Sequence, residues 1–110
     1  MNDATLTWAA AASGVPTGYV VTWSINGSAL PSVTVPQTAA QDTSGYSQDF
    51  ISATGRTPAP GDTIGATVQA VDATGKYLPS AVVTSTPASV TVPAAPVQLG
   101  PPVNVVLALS

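Results

Sequence analysis

The aspartates are the residues of this chain that come nearest to catalytic chemistry. There are five of them, and the chain has no glutamate, histidine or cysteine. A Ser-His-Asp or Cys-His nucleophile therefore cannot be assembled. A glycosidase-type carboxylate pair would have to be drawn from Asp3, Asp42, Asp49, Asp62 and Asp72. Most of these lie in or near predicted turns, where Asp usually accepts hydrogen bonds from its own backbone.

Lys76 and Ser80 are the other candidate pair, since a lysine can activate a serine nucleophile. Their spacing falls across a loop, which argues against such a pair. No G-x-x-x-x-G-K, G-x-G-x-x-G or D-x-D-x-D-G pattern occurs in the sequence. We therefore predict a non-enzyme with no catalytic residue, no cofactor and no metal site.

The low charge bears on partners and location. Charged residues make up 6% of the chain and the net charge is −3, which leaves no basic surface for nucleic acid. No apolar run approaches the roughly 20 residues of a membrane helix, and MNDATLTW lacks the features of a secretion signal. Provided that this is the natural start of the chain, we expect synthesis in a cytoplasm. The redox compartment stays open, because there is no cysteine to report it.

The elements that must position these residues are predicted to be strands. The chain has 110 residues, enough for one domain, and its 9 glycines and 11 prolines interrupt every helical stripe. Helix is expected only as a single turn. Alternation of apolar and polar residues marks strands at ATLTWA and at GYVVTWSI, where Tyr19, Val21, Trp23 and Ile25 share one face.

A hairpin turn is predicted at Asn26-Gly27, because both residues tolerate positive φ. Its partner strand is expected at residues 32–35. The same NGS also matches an N-glycosylation sequon, and the missing secretion signal favours the turn. Further strands are predicted at residues 46–52, 63–70 and 80–86, with the DATG turn before the last. Short strands at this spacing are typical of an antiparallel β-sandwich.

The segments TLTW, GYVVTW and PGDTIGATVQAVDATGKYLPSAVVTST together resemble a fibronectin type III domain, an immunoglobulin-like β-sandwich. The resemblance covers residues 4–86. It implies that Trp8 and Tyr19 are core positions and that Val68 and Ala70 face the core. Ile64 stands where the family usually carries a tyrosine, so the hydroxyl that fixes that corner is missing. For Trp23, packing and a ligand platform both remain open.

The family's first strand is missing from its expected place, because only four residues precede the strand of Trp8. We predict a sandwich at residues 1–87 and a Pro-rich extension with a terminal strand at residues 88–110. The extension ends in an apolar, uncharged segment that requires cover. We expect it to supply the missing edge strand in cis or, preferably, to a neighbouring subunit. The predicted contact residues are Val103, Val105, Val106, Leu107 and Leu109.

Three functions compete at this point. Domains similar to this one commonly decorate tailed-bacteriophage particles, so the resemblance implies a structural virion protein that binds a capsid or tail lattice and stabilises it. A carbohydrate- or surface-binding module would use Trp23, Tyr46 and Tyr77 as stacking residues. A spacer of a larger extracellular bacterial protein would explain the Pro-rich stretch as a linker. Lys76 and Tyr77 in the DATGKY loop are predicted partner contacts, although such a loop pair is more often merely solvated.

Overall fold

The structure, a computed structural model, describes residues 3–93, 99, 101, 102 and 104–109. Strands dominate it, because β-branched residues alternate with polar ones and turn residues separate the runs. Within the described residues the elements are β1 Thr5–Trp8, β2 Gly18–Ile25, β3 Ser28–Ala29, β4 Val33–Pro36, α1 Ala39–Ser44, β5 Tyr46–Asp49, α2 Phe50–Thr54, β6 Thr63–Val71 and β7 Val83–Thr91.

The strands form two sheets in which every pairing is antiparallel. The small sheet contains β1 and β5, with Thr5 opposite Asp49 and Trp8 opposite Tyr46. In the large sheet, β6 lies between β2 and β7, and both β3 and β4 pair with the other edge of β2. The predicted all-β, antiparallel architecture is confirmed.

β2 is an internal strand of the large sheet. It pairs with β6 along its whole length, from Gly18 opposite Val71 to Ile25 opposite Ile64, and with β3 and β4 on its other side. Its predicted inward face is correct, since Tyr19, Val21 and Trp23 are all buried. Strands with neighbours on both sides and a buried face specify their register strongly, because a slip of one residue would expose this whole face.

The hydrophobic core lies between the sheets and includes residues of β2, α2 and β6. Phe50 and Trp23 meet edge to face, with ring centroids 5.4 Å apart. Burial of one such side chain contributes about 1.5–3 kcal/mol. The buried cluster consists of Val21, Trp23, Phe50, Ile64, Ala66 and Val92.

The predicted turn at Asn26-Gly27 is confirmed, with φ of 51° and 81° respectively. The first partner of β2 after the turn is β3, where Ser28 lies opposite Ile25. The strand predicted at residues 32–35 is β4, one residue further along at Val33–Pro36.

The strand predicted at residues 46–52 is wrong in its second half. β5 stops at Asp49, and Phe50 begins the helix α2, which ends at Gly55 in the left-handed conformation. The helical turn carries Phe50 inward to full burial against Trp23. The residue alternation at this point resembles a strand, and only the tertiary contact favours the helix. Both helices are short, with six and five residues.

β7 is also displaced from its prediction. It occupies Val83–Thr91 in place of residues 80–86, so the predicted sandwich boundary at residue 87 lies inside this strand. Val92 follows it into the core, and its backbone pairs with Gly61 and Asp62. The sandwich therefore runs to Val92. The described residues after Val92, including residues 104–109, contain no strand, and Val103 lies outside the described residues.

Candidate functional site

The free edge of β1 is the first component of the candidate site. Phe50 N–H donates to Ala4 C=O at 2.8 Å, which directs the backbone groups of Ala4, Leu6 and Trp8 toward β5. Successive residues of an antiparallel strand point their backbone groups to alternate sides. The N–H and C=O groups of Thr5 and Thr7 therefore face away from β5. Within the described residues, no strand pairs with this side of β1.

Beside this edge lies a groove of about 650 Å³ between β1 and the β6–β7 part of the large sheet. A narrower groove of about 160 Å³ continues it toward Ala4 and Val90. Leu6, Trp8, Val68 and Val83 contribute apolar walls, and no charged residue lines either groove. We call the surface formed by β1, β7 and these two grooves the open flank.

An aromatic cluster supports the Trp8 end of the open flank. The ring of Trp8 stacks on Tyr46 at a centroid distance of 5.5 Å and meets Tyr19 edge-on at 5.9 Å. The Tyr19 hydroxyl accepts a hydrogen bond from Ala11 N–H at 2.9 Å. Trp8 itself is only half-buried, and its indole Nε1 finds no acceptor among the described residues. Both residues predicted as core thus border the groove, Tyr19 buried and Trp8 partly open.

The opposite side of the sandwich, which we call the bridged flank, consists of β4, α1, β5 and α2. Here the two sheets are joined by a hydrogen bond from Trp23 Nε1 to Gln48 Oε1 at 2.8 Å. The Tyr46 hydroxyl donates to Asp42 Oδ1 at 2.6 Å. Burial, followed by this hydrogen bond, raises the pKa of Tyr46 to about 12. The connecting segments therefore close this side.

Each of the five aspartate side chains accepts a hydrogen bond from a backbone or side-chain donor. Asp3 accepts from Ile51 N–H, Asp49 from Thr5, and Asp42 from Tyr46. The hydrogen bond from Asn26, then that from Ala59 N–H, lowers the pKa of Asp62. The hydrogen bonds from the hydroxyl and the N–H of Thr74 lower the pKa of Asp72. No three carboxylates gather into a possible metal site within the described residues.

The predicted loop residues Lys76 and Tyr77 are brought together. Lys76 Nζ lies 5.4 Å from the centroid of the Tyr77 ring, and Tyr77 is 45% exposed. Asp72 Oδ2 accepts from Tyr77 N–H at 3.0 Å, which fixes the loop. The Ser80 hydroxyl accepts from Ala70 N–H and donates to Ala81 C=O, both at 2.9 Å. Ser80 thus fastens the chain beside β6.

Four of the five predicted terminal contact residues lie within the described residues, and the side chains of these four are exposed. Leu107 and Leu109 are completely exposed, at 100% and 102%, and Val105 and Val106 are exposed at 80% each. Leaving such side chains in water is unfavourable by about 0.8 kcal/mol for each methylene that could have been buried. Among the described residues, the open flank and residues 105–109 are therefore two of the apolar surfaces that stay uncovered.

Two of the aromatic residues considered for sugar stacking are inside the protein. Trp23 is 3% exposed and Tyr46 is 1% exposed, so neither presents a ring face to a ligand. The groove itself was missed by sequence reasoning. Its β7 wall depends on a strand that was predicted too early in the chain.

Comparison of the chain with protein-family models, with curated proteins and with solved structures finds no match in any of the three. None of the helices in the described part of the chain is long and apolar enough to cross a membrane.

Proposed function

We propose that this chain is a non-enzymatic structural protein that works by joining an assembly of protein subunits. The observation that carries the proposal is that the edge of β1, which pairs with no strand among the described residues and borders an apolar groove, coexists with an exposed apolar tail at residues 105–109. An open edge is a template for another strand, and natural proteins usually cover or charge it. An edge that is left open beside an uncharged groove is suited to a protein contact.

The strand arrangement supports a fibronectin type III-like form of the sandwich within this proposal. We assign the strands of the sheets β1–β5 and β3/β4–β2–β6–β7 to those of a seven-stranded sandwich other than its first. In the complete fold that strand lies next to the strand occupied here by β1. The proposed contact surface is thus the place of the missing strand.

A particle accessory role is the specific form of the proposal. We place the protein in a virion, as a capsid decoration or tail protein that binds a lattice of another protein and stabilises it. Fold-level analogy supports this role, and so does the low charge, because contacts without buried charge avoid a large desolvation penalty. The protein partner is the lattice, with no role for nucleic acid or membrane.

The non-enzymatic part of the proposal rests on the use of the polar residues. The carboxylates of Asp3, Asp49, Asp62 and Asp72 stabilise turns and strand ends, and Ser80 stabilises the edge of β6. A binding module for carbohydrate is less well supported, because two of its three candidate aromatic residues are buried. Tyr77 alone is not a stacking platform of the usual kind.

The test is whether the protein resides on particles. Virus growth is induced in the organism that carries the gene, and the lysate is separated on a density gradient. We expect an antibody against the chain to detect it in the fractions that hold assembled particles, with a host enzyme of similar size as the control that stays at the top. Detection of the chain only among unassembled proteins contradicts the virion role.

A further inference from the structure

We infer that the open flank is the acceptor for residues 105–109 of a second copy of this chain, which pair antiparallel with β1. The inference rests on the proposed assembly role and names its partner. It accounts for these two uncovered apolar surfaces together, since the tail of one copy covers the groove of the next. Strand addition of this kind derives affinity from backbone hydrogen bonds and specificity from alternate side chains.

The chemistry of the two surfaces matches. β1 offers the backbone groups of Thr5 and Thr7, and an added strand supplies the donors and acceptors that they lack. The groove and residues 105–109 are both apolar and without charge. No ion is desolvated when they meet, so the burial of apolar surface is not opposed by a charge penalty.

The alternation of the tail defines the register. If Val106 lies opposite Thr7 and Ala108 opposite Thr5, Leu107 comes beside Leu6 on the groove side. Val105 and Leu109 then also enter the groove, beside Trp8 and Ala4. The larger side chains of the tail are thus buried, and Val106 and Ala108 face outward with the exposed threonines.

β1 is a better acceptor than the free edge of β7. Pro87 has no N–H to offer, and the pairing of β7 with β6 is irregular between Gly65 and Thr67. β1 is regular over its four residues, and the small sheet has only two strands within the described residues. Addition to β1 therefore gains more regular backbone pairing.

The spacer favours a second copy over the same chain. The sandwich ends at Val92, beside Asp62 and close to the Ala4 end of the groove. A strand antiparallel to β1 must begin at the Trp8 end, only about 13 Å from the Ala4 end at roughly 3.3 Å per residue, so an extended spacer overshoots this distance. Residues 93–102 span about 31 Å when extended, and the last two, Pro101 and Pro102, resist the reversal that must follow.

Matched charge variants of the full chain test the groove-facing side of the tail. Val105→Asp with Leu107→Asp places two carboxylates in the groove, whereas Val106→Asp with Ala108→Asp places the same charge outside. Sedimentation velocity over a wide concentration range is expected to show association of the wild type and of the outward variant. For the inward variant we expect a dissociation constant raised by at least about 100-fold. Equal behaviour of the two variants overturns the inference.

A cysteine pair then separates a second copy from the same chain. The protein has no cysteine, so Thr7→Cys with Val106→Cys introduces the only two thiols. Links between two thiols at position 7 or two at position 106 are also possible, so the expected result of mild oxidation is covalent dimers and larger species whose peptides contain the link between positions 7 and 106. The control, Thr34→Cys with Val106→Cys, moves the first thiol to β4 on the bridged flank and is expected to give no link between positions 34 and 106. An internally closed monomer, or equal linking of position 106 to positions 7 and 34, overturns the inference.

Failure of strand addition and failure of the virion role give different results. Tail-dependent association of a chain that never reaches particles supports strand addition and contradicts the virion role. If the inward and outward variants are found on particles equally often, the virion role is supported. If the inward variant sediments like the wild type, strand addition is contradicted.

Discussion

The bridged flank and the open flank border the same two sheets, yet within the described part of the chain only the bridged flank is closed by connecting segments. On the bridged flank, α1 connects the edge of the large sheet to β5, and Trp23 and Gln48 are hydrogen bonded between the sheets. On the open flank, β1 and β7 face each other across a groove of about 650 Å³. The two flanks differ because connecting segments cover the sheet edges on the bridged flank, whereas β1 is left exposed on the open flank.

The largest expected effect comes from the core contact of the bridged flank. Phe50→Ala removes a ring with no exposed surface and leaves a cavity against Trp23. We expect the free energy of unfolding to fall by about 3–5 kcal/mol, measured by denaturant titration. Leu6→Ala on the open flank is the control, with an expected loss below about 2 kcal/mol because Leu6 is only half-buried. Equal losses would remove the distinction between the flanks.

Gly65→Ala tests whether the open flank is tightly packed behind its groove. A Cβ on Gly65 would lie 2.9 Å from both Ala88 O and Ser24 Oγ, so the backbone of β7 must shift. The expected destabilisation is about 1–3 kcal/mol. The displacement of β7 is measured by hydrogen exchange of the β7 amides. Ala66→Gly at the next position is the control, which should also destabilise the protein but should leave the exchange of these amides unchanged. Unchanged exchange in Gly65→Ala would contradict tight packing of β7 against this position.

Gln48→Leu tests the hydrogen bond between the sheets. The variant leaves the buried Trp23 Nε1 without its acceptor, and we expect a loss of about 1–2 kcal/mol in thermal or chemical unfolding. Gln69→Leu is the matched control, because Gln69 donates only to the exposed Ser80 carbonyl. If Gln69→Leu lowers the free energy of unfolding as much as Gln48→Leu does, the Trp23–Gln48 hydrogen bond contributes no more than an exposed one.

The smallest expected effect is a change in alkaline stability. The pKa of Tyr46 rises on folding from 10.0 to about 12, so the folded state holds its proton when the unfolded state releases it. This contribution to stability is complete below pH 10 and is lost as the pH rises toward 12. Tyr46→Phe should flatten the fall in unfolding midpoint over this range. A wild-type slope in Tyr46→Phe contradicts this account.

The sequence predicts those elements whose local pattern and tertiary role agree. β2 and the Asn26-Gly27 turn are of this kind, since alternation and positive φ lead to one answer. α2 could not be predicted, because Phe50 enters the core through a helical turn within a strand-like run. The groove could not be predicted either, because it depends on where β7 passes β1.

The acceptor edge and the apolar tail lie at different places on one chain, and neither surface is complementary to itself. In the inferred arrangement, any open series of copies ends with one unused groove and one unused tail. Such a series closes by reciprocal exchange between two chains or by forming a ring, and otherwise it grows as a filament. The reach of residues 93–104 then sets the size of the assembly, and a lattice that fixes the spacing between copies could select one closed form.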